Sequence, residues 1–129
     1  MVSRTVRAAA LLAALGTCAA GAAPCALTAG RQVVLKSAEI DPDVFVWDSK
    51  QRVVDYAAGS WGSTHDVLVH TVLAKPGTRA MVVQCDGGVV RQKYVSETLD
   101  AIGIRLLNGP NRGHYGWVTS QDVRLLTHT

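Results

Sequence analysis

Residues 108–123 read NGPNRGHYGWVTSQDV. Gly109 and Gly113 are free to take the positive φ a chain reversal needs, and Pro110 fixes φ at the position between them. Gly116, between Tyr115 and Trp117, removes a side chain where a strand bends or another backbone comes close. Ser120-Gln121-Asp122 suits a one-turn 3₁₀ connector, after which Val123 and Leu125 alternate toward a core. A phosphate cradle is the other chemistry such glycines serve, but no Lys-Ser or Lys-Thr follows them and no helix begins after the turn. The stretch therefore reads as turns between short strands.

The same punctuation continues upstream. RQVVLK (31–36), VFVW (44–47), RVVDY (52–56), VLVHTVL (67–73), RAMVVQC (79–85), VVRQKY (89–94), IGIRLL (102–107), GWVT (116–119) and VRLL (123–126) are rich in Val, Ile, Leu or aromatic residues. Gly, Pro, Asn or Asp bound most of them, in segments such as DPD (41–43), DSK (48–50), AKPG (74–77) and DGG (86–88). Helical periodicity is weak throughout, and SETLDAI (96–102) is the best candidate for a short helical turn. An all-β domain of five to seven short strands is predicted, closed into a barrel or sandwich because closure removes exposed edges.

IGIRLLNGPNRGHYGWV (102–118) resembles the KOW-type hairpin, in which a strand enters a Gly-Pro-x-x-Gly turn and the return strand carries Gly-x-Val. GHYGWVTSQDVRLL resembles the end of bacterial Src-homology-3-like domains, and HTVLAKPGTRAMVV (70–83) looks like their Gly-turn and Val-rich strand. The resemblance implies a small Src-homology-3-like barrel with one short 3₁₀ turn. It also implies a binding module that recognises a peptide-like ligand, a peptidoglycan peptide or a protein partner. Residues 37–66 are longer than the family's strand-turn-strand and carry Trp47, Tyr56 and Trp61. They are read as the wall of a ligand groove or as a lid over the barrel.

The first 25 residues, MVSRTVRAAALLAALGTCAAGAAPC, place Arg4 and Arg7 before a small, apolar run. That is the layout of a secretory signal peptide. The run is shorter than the roughly 20 residues a membrane-spanning helix needs. Cleavage after Ala22 divides the chain into a signal peptide, 1–22, and one domain, 23–129, that is periplasmic or secreted. Leu15-Gly16-Thr17-Cys18 resembles a lipobox, which makes a lipoprotein anchored at Cys18 the alternative, although Thr17 departs from the usual Gly, Ala or Ser. The chain has 13 Lys and Arg against 10 Asp and Glu, a net charge of +3. Loss of Arg4 and Arg7 lowers this to +1. Without a Lys/Arg cluster, nucleic acid is not an expected partner. Cys18 leaves with the signal, so Cys25 and Cys85 remain as a pair for a disulfide in an oxidising compartment.

His65-Asp66 lies near Ser60 and Ser63, but sequence adjacency is not triad geometry and no nucleophile elbow surrounds either serine. His65, His70, His114 and His128 have no metal-ligand spacing, and Asp41-Pro42-Asp43 reads as a turn rather than a calcium loop. No catalytic residue, metal or cofactor is expected. With one Phe against three Trp and three Tyr, the aromatic content favours rings with a polar handle. Trp117 is expected to pack partly into the barrel. Trp47, Trp61 and Tyr115 are expected at the surface, where with Asn111, Arg112 and His114 they would line a shallow groove. The expected function is an exported, monomeric, non-enzymatic binding module of the bacterial cell envelope. The alternative is a small periplasmic inhibitor or immunity protein that blocks a secreted enzyme; a hydrolase using His65 or Asp66 and a KOW-type nucleic-acid binder rank below it.

Overall fold

A computed structural model describes residues 25–37 and 41–126. The signal peptide expected over 1–22 and the alternative anchor at Cys18 lie outside the described residues. Seven strands run in the order β1 (Gln32–Leu35), β2 (Val44–Trp47), β3 (Thr71–Ala74), β4 (Arg79–Arg91), β5 (Thr98–Leu106), β6 (Tyr115–Thr119) and β7 (Val123–Leu125). Between β2 and β3 lie two helices, α1 (Lys50–Ala57) and α2 (Thr64–Val69), and Ser120–Asp122 forms a single 3₁₀ turn. All neighbouring strands are antiparallel, in the spatial order β3-β2-β6-β5-β4-β1-β7. The fold is a small all-β half-barrel, curled but open between β3 and β7.

Curling follows from irregularities in β4. Its pairing with β5 shifts between Val82 and Gln84, and again between Asp86 and Val90 around Gly87-Gly88. An extra residue on one strand bends it and increases its twist. The first shift also changes which residues face inward: Ala80 and Val82 pack in the main core, and beyond the bulge Cys85 packs against it. That core holds Val33, Leu35, Val44, Val46, Ile102, Ile104, Leu106 and Val118. Gly116 lets β6 lie against β2, since a Cβ there would overlap the Val46 side chain and approach the Trp47 carbonyl oxygen to 2.9 Å. Gly109 and Gly113, with φ of 83° and 89°, make the turns between β5 and β6.

The opposite face carries a second core under α1. Alternation along VFVW sends Val44 and Val46 into the barrel and leaves Phe45 and Trp47 on the other face. Val53, Val54, Tyr56 and Ala57 of α1 cover them, together with Leu99, Ala101 and Trp117 from β5 and β6. Trp47 is therefore 6% exposed, and its expected place at the surface is corrected. Trp117 is partly buried in this second core and abuts Gly103, rather than entering the barrel.

Several local expectations are also corrected. RVVDY (52–56) is helix: Ser49 caps α1 by accepting from the Arg52 amide at 3.3 Å, and the aromatic face of β2 supplies what the helix buries. VLVHTVL is divided between α2 and β3, DGG is a bulge within β4, and SETLDAI leads into β5 rather than forming a helical turn. Val123 is buried, but Leu125 is 42% exposed because β7 is an edge strand. No described helix is long and apolar enough to cross a membrane.

Candidate functional site

Burying Phe45 and Trp47 under a helix of only eight residues leaves an opening where that helix ends. There Tyr56 makes ring contacts with three aromatic neighbours. Its centroid lies 4.9 Å from Trp47, 6.1 Å from Phe45 in an edge-to-face arrangement, and 5.5 Å from Trp61. The pairs with Trp47 and Trp61 are tilted, at 43° and 40°, and aromatic contacts at these separations are favourable. Trp61, just beyond α1, is 47% exposed and stands over a cleft of about 320 Å³. Phe45 and Tyr56 line the same cleft, and Trp47 lies behind Tyr56.

The cleft's other walls come from distant parts of the chain. Asp41 and Asp43 precede β2, Leu99 is at the start of β5, and Gln121 and Asp122 belong to the 3₁₀ turn after β6. Asp122 is positioned by its own capping box: its Oδ2 accepts from the Thr119 amide at 2.9 Å and from Thr119 Oγ1 at 3.0 Å. Asp43 Oδ1 is 2.9 Å from Lys75 Nζ, and that lysine does not line the cleft. Aromatic rings and carboxylates thus line the same cleft.

Of the expected site residues, Trp61 lines this cleft and Trp47 supports it from behind. Asn111 is elsewhere: its Nδ2 donates to the Leu73 carbonyl at 3.0 Å, joining the β5–β6 loop to edge strand β3 beside a separate apolar hollow. Arg112 and His114 are exposed in that loop, and Tyr115 at the start of β6 is 63% exposed; none lines the aromatic cleft. The single groove expected from these six residues is not formed. Phe45, Tyr56, Asp41 and Asp43 fall in the 37–66 segment read as a groove wall or a lid but are not among the expected site residues, and Asp122 is expected only as part of the 3₁₀ turn. Alternation in VFVW could have singled out Phe45, because it places that ring on the Trp47 face.

Other polar clusters have structural roles. Ser63 and Asp66 close the N-terminus of α2 as a capping box, with Asp66 Oδ2 accepting from the Ser63 amide and Ser63 Oγ from the Asp66 amide. Beyond Trp61, His70 Nδ1 lies 2.8 Å from Asp48 Oδ2 and Arg52 Nε lies 3.3 Å from Asp48 Oδ1, a cluster that ties α1 to the start of β3. Lys50 Nζ donates to Asp86 Oδ2 at 2.6 Å and lies 5.9 Å from the Trp117 ring centroid. That bond, with a second from Gln84, holds the Asp86 carboxyl below its ordinary value despite the opposing effect of burial. Cys25 and Cys85 form a disulfide, with Cα atoms 6.1 Å apart. Asp100 lies against this disulfide, and the two sulfurs and a carboxylate oxygen fall within 4.8 Å of one another. Bonded to each other, these sulfurs are not the thiolates a metal would need.

Comparison of the chain with protein-family models, with curated proteins and with solved structures finds no match.

Proposed function

We propose that this chain is an exported, non-enzymatic binding module of the bacterial cell envelope, taking a peptide-like ligand in the cleft walled by Phe45, Tyr56 and Trp61. The observation that carries this reading is the cleft itself. Its volume of about 320 Å³ is at the lower end of the range for small-ligand sites, and it combines clustered aromatic rings with a few oriented polar groups. A half-exposed Trp61 held by its neighbour is a pre-arranged contact surface that gives up little conformational entropy on binding. The disulfide and the basic-then-apolar N-terminus support export, and the strand and turn pattern resembles the bacterial Src-homology-3-like domains. In this reading peptidoglycan stem or bridge peptides are the first ligand class, and recognition proceeds without bond cleavage.

The test is a pull-down of the mature, oxidised protein with purified sacculi and with envelope extract, comparing wild type with Trp61→Ala and Tyr115→Ala. Retention on sacculi that Trp61→Ala loses and Tyr115→Ala keeps is the expected result. Loss with Tyr115→Ala alone would move the site to the β5–β6 loop and overturn the cleft assignment. Capture of a single envelope protein, with nothing retained on sacculi, would make the chain an inhibitor or interaction module and refute the wall-peptide ligand.

A further inference from the structure

We infer that the ligand group seated in the aromatic cleft is a cation, a primary ammonium or a guanidinium on a peptide. This rests on the cleft being the ligand site and specifies what that site selects. Two independent features of the lining favour the same chemistry. Phe45, Tyr56 and Trp61 line the cleft with Tyr56 in ring contact with the other two, and the quadrupole of such rings attracts a cation placed over a face. The same cleft is lined by the carboxylates of Asp41, Asp43 and Asp122, with no Lys, Arg or His among the described lining residues. The whole chain has the opposite balance, 13 basic residues to 10 acidic, so the sign of the cleft is a local property.

Other ligand groups fit this lining poorly. An anion would meet three carboxylates at close range in a partly desolvated space, where like charges repel more strongly than in water. A purely apolar group would suit the rings but exclude water from the charged carboxylates, at a desolvation cost. An ammonium suits both kinds of lining group, by contact with the rings and by charge-assisted hydrogen bonds to the carboxylates. Lys75, with a side chain 74% exposed, pairs with Asp43 without lining the cleft, so a cation already partners one of these carboxylates from outside. Asp122 is oriented by Thr119 before any ligand arrives.

Titration of the mature, oxidised protein with three end-blocked tripeptides tests the inference, with the Trp61 indole NH resonance and calorimetry as readouts. The probes are acetyl-Ala-Lys-Ala-amide, its Nε-acetylated form and acetyl-Ala-Glu-Ala-amide, so that the central side chain carries the only charge. The lysine peptide is expected to bind at least about tenfold more tightly than either of the others, as the combination of ring and carboxylate contacts implies. Its affinity should fall as salt rises, and the double variant Asp41→Asn/Asp43→Asn should reduce the preference several-fold while leaving the remainder of the amide spectrum unchanged. Equal binding of the lysine and Nε-acetyl peptides would overturn the cationic assignment and leave the cleft as the site. Failure of all three to move the Trp61 signal, in a protein that sacculi still retain through Trp61, would also overturn it. Failure on both counts would remove the cleft reading as well.

Discussion

At the scale of single residues, Gly116 connects the fold to the cleft. Its missing Cβ makes room for Val46 and for the carbonyl oxygen of Trp47, both on β2, and Trp47 in turn packs against Tyr56. Gly109 is a useful contrast, because a Cβ there meets open space but φ is 83°. Gly116→Ala is an overpacking change expected to cost about 1–3 kcal/mol. Gly109→Ala adds only backbone strain, of about 1–2 kcal/mol. The two can be equally destabilising and still differ in function. Gly116→Ala should displace β2 and shift the indole resonances of Trp47 and Trp61, whereas Gly109→Ala should lower the melting temperature and leave both in place. Unchanged indole resonances in a folded Gly116→Ala protein would mean that β2 does not set the aromatic wall.

At the scale of elements, α1 is what converts a bare sheet face into a covered one with a cleft at its end, and Lys50 fastens its first turn to β4. The pairing with Asp86 is partly exposed, so Asp86→Asn should cost only about 0.2–1 kcal/mol at neutral pH. Its pH dependence has a definite sign. The folded carboxyl titrates below its ordinary value of 3.8, so the contribution is complete above that value and is lost as pH falls through the lower folded one. Denaturation midpoints of wild type and variant should therefore differ at pH 7 and converge in that acid range; a constant difference would assign the effect to packing. The helix itself was poorly legible. Val53-Val54 is a pair with strand propensity, and propensity is a weak prior that the chance to bury a face overrides. The Ser49 cap and the Ser63-x-x-Asp66 box were written in the sequence, and they mark helix starts more reliably than the residues between them. The strands read well because Val-rich blocks end at Gly, Pro, Asn or Asp, whose effects are local. The cleft did not, since Asp41, Tyr56, Leu99 and Asp122 meet only through the order in which strands pair.

At the scale of the whole molecule, the half-barrel ends in two edge strands, β3 and β7, and the disulfide restrains the N-terminal segment. Cys25 is fastened to β4 across a separation of 60 residues, and Leu27 between them packs on the main core. Gly30 donates from its amide to the Val82 carbonyl at 2.8 Å, and Val82 donates to the Arg31 carbonyl at 2.8 Å, so the segment continues the β1–β4 pairing. Loop-closure entropy for a cross-link of this span stabilises the native state by about 4 kcal/mol. That is a large share of the roughly 5–15 kcal/mol by which a domain is stable. At about 4–8 °C per kcal/mol for a domain of this size, Cys25→Ser/Cys85→Ser should melt some 15–30 °C below wild type. Because the entropic effect acts on the unfolded chain, the variant that is still folded at low temperature should keep the Trp61 environment and bind the same peptides. Loss of binding without a fall in melting temperature would reverse that assignment: the bond would then act on the native geometry of β4 and β5, and the cleft would depend on it directly.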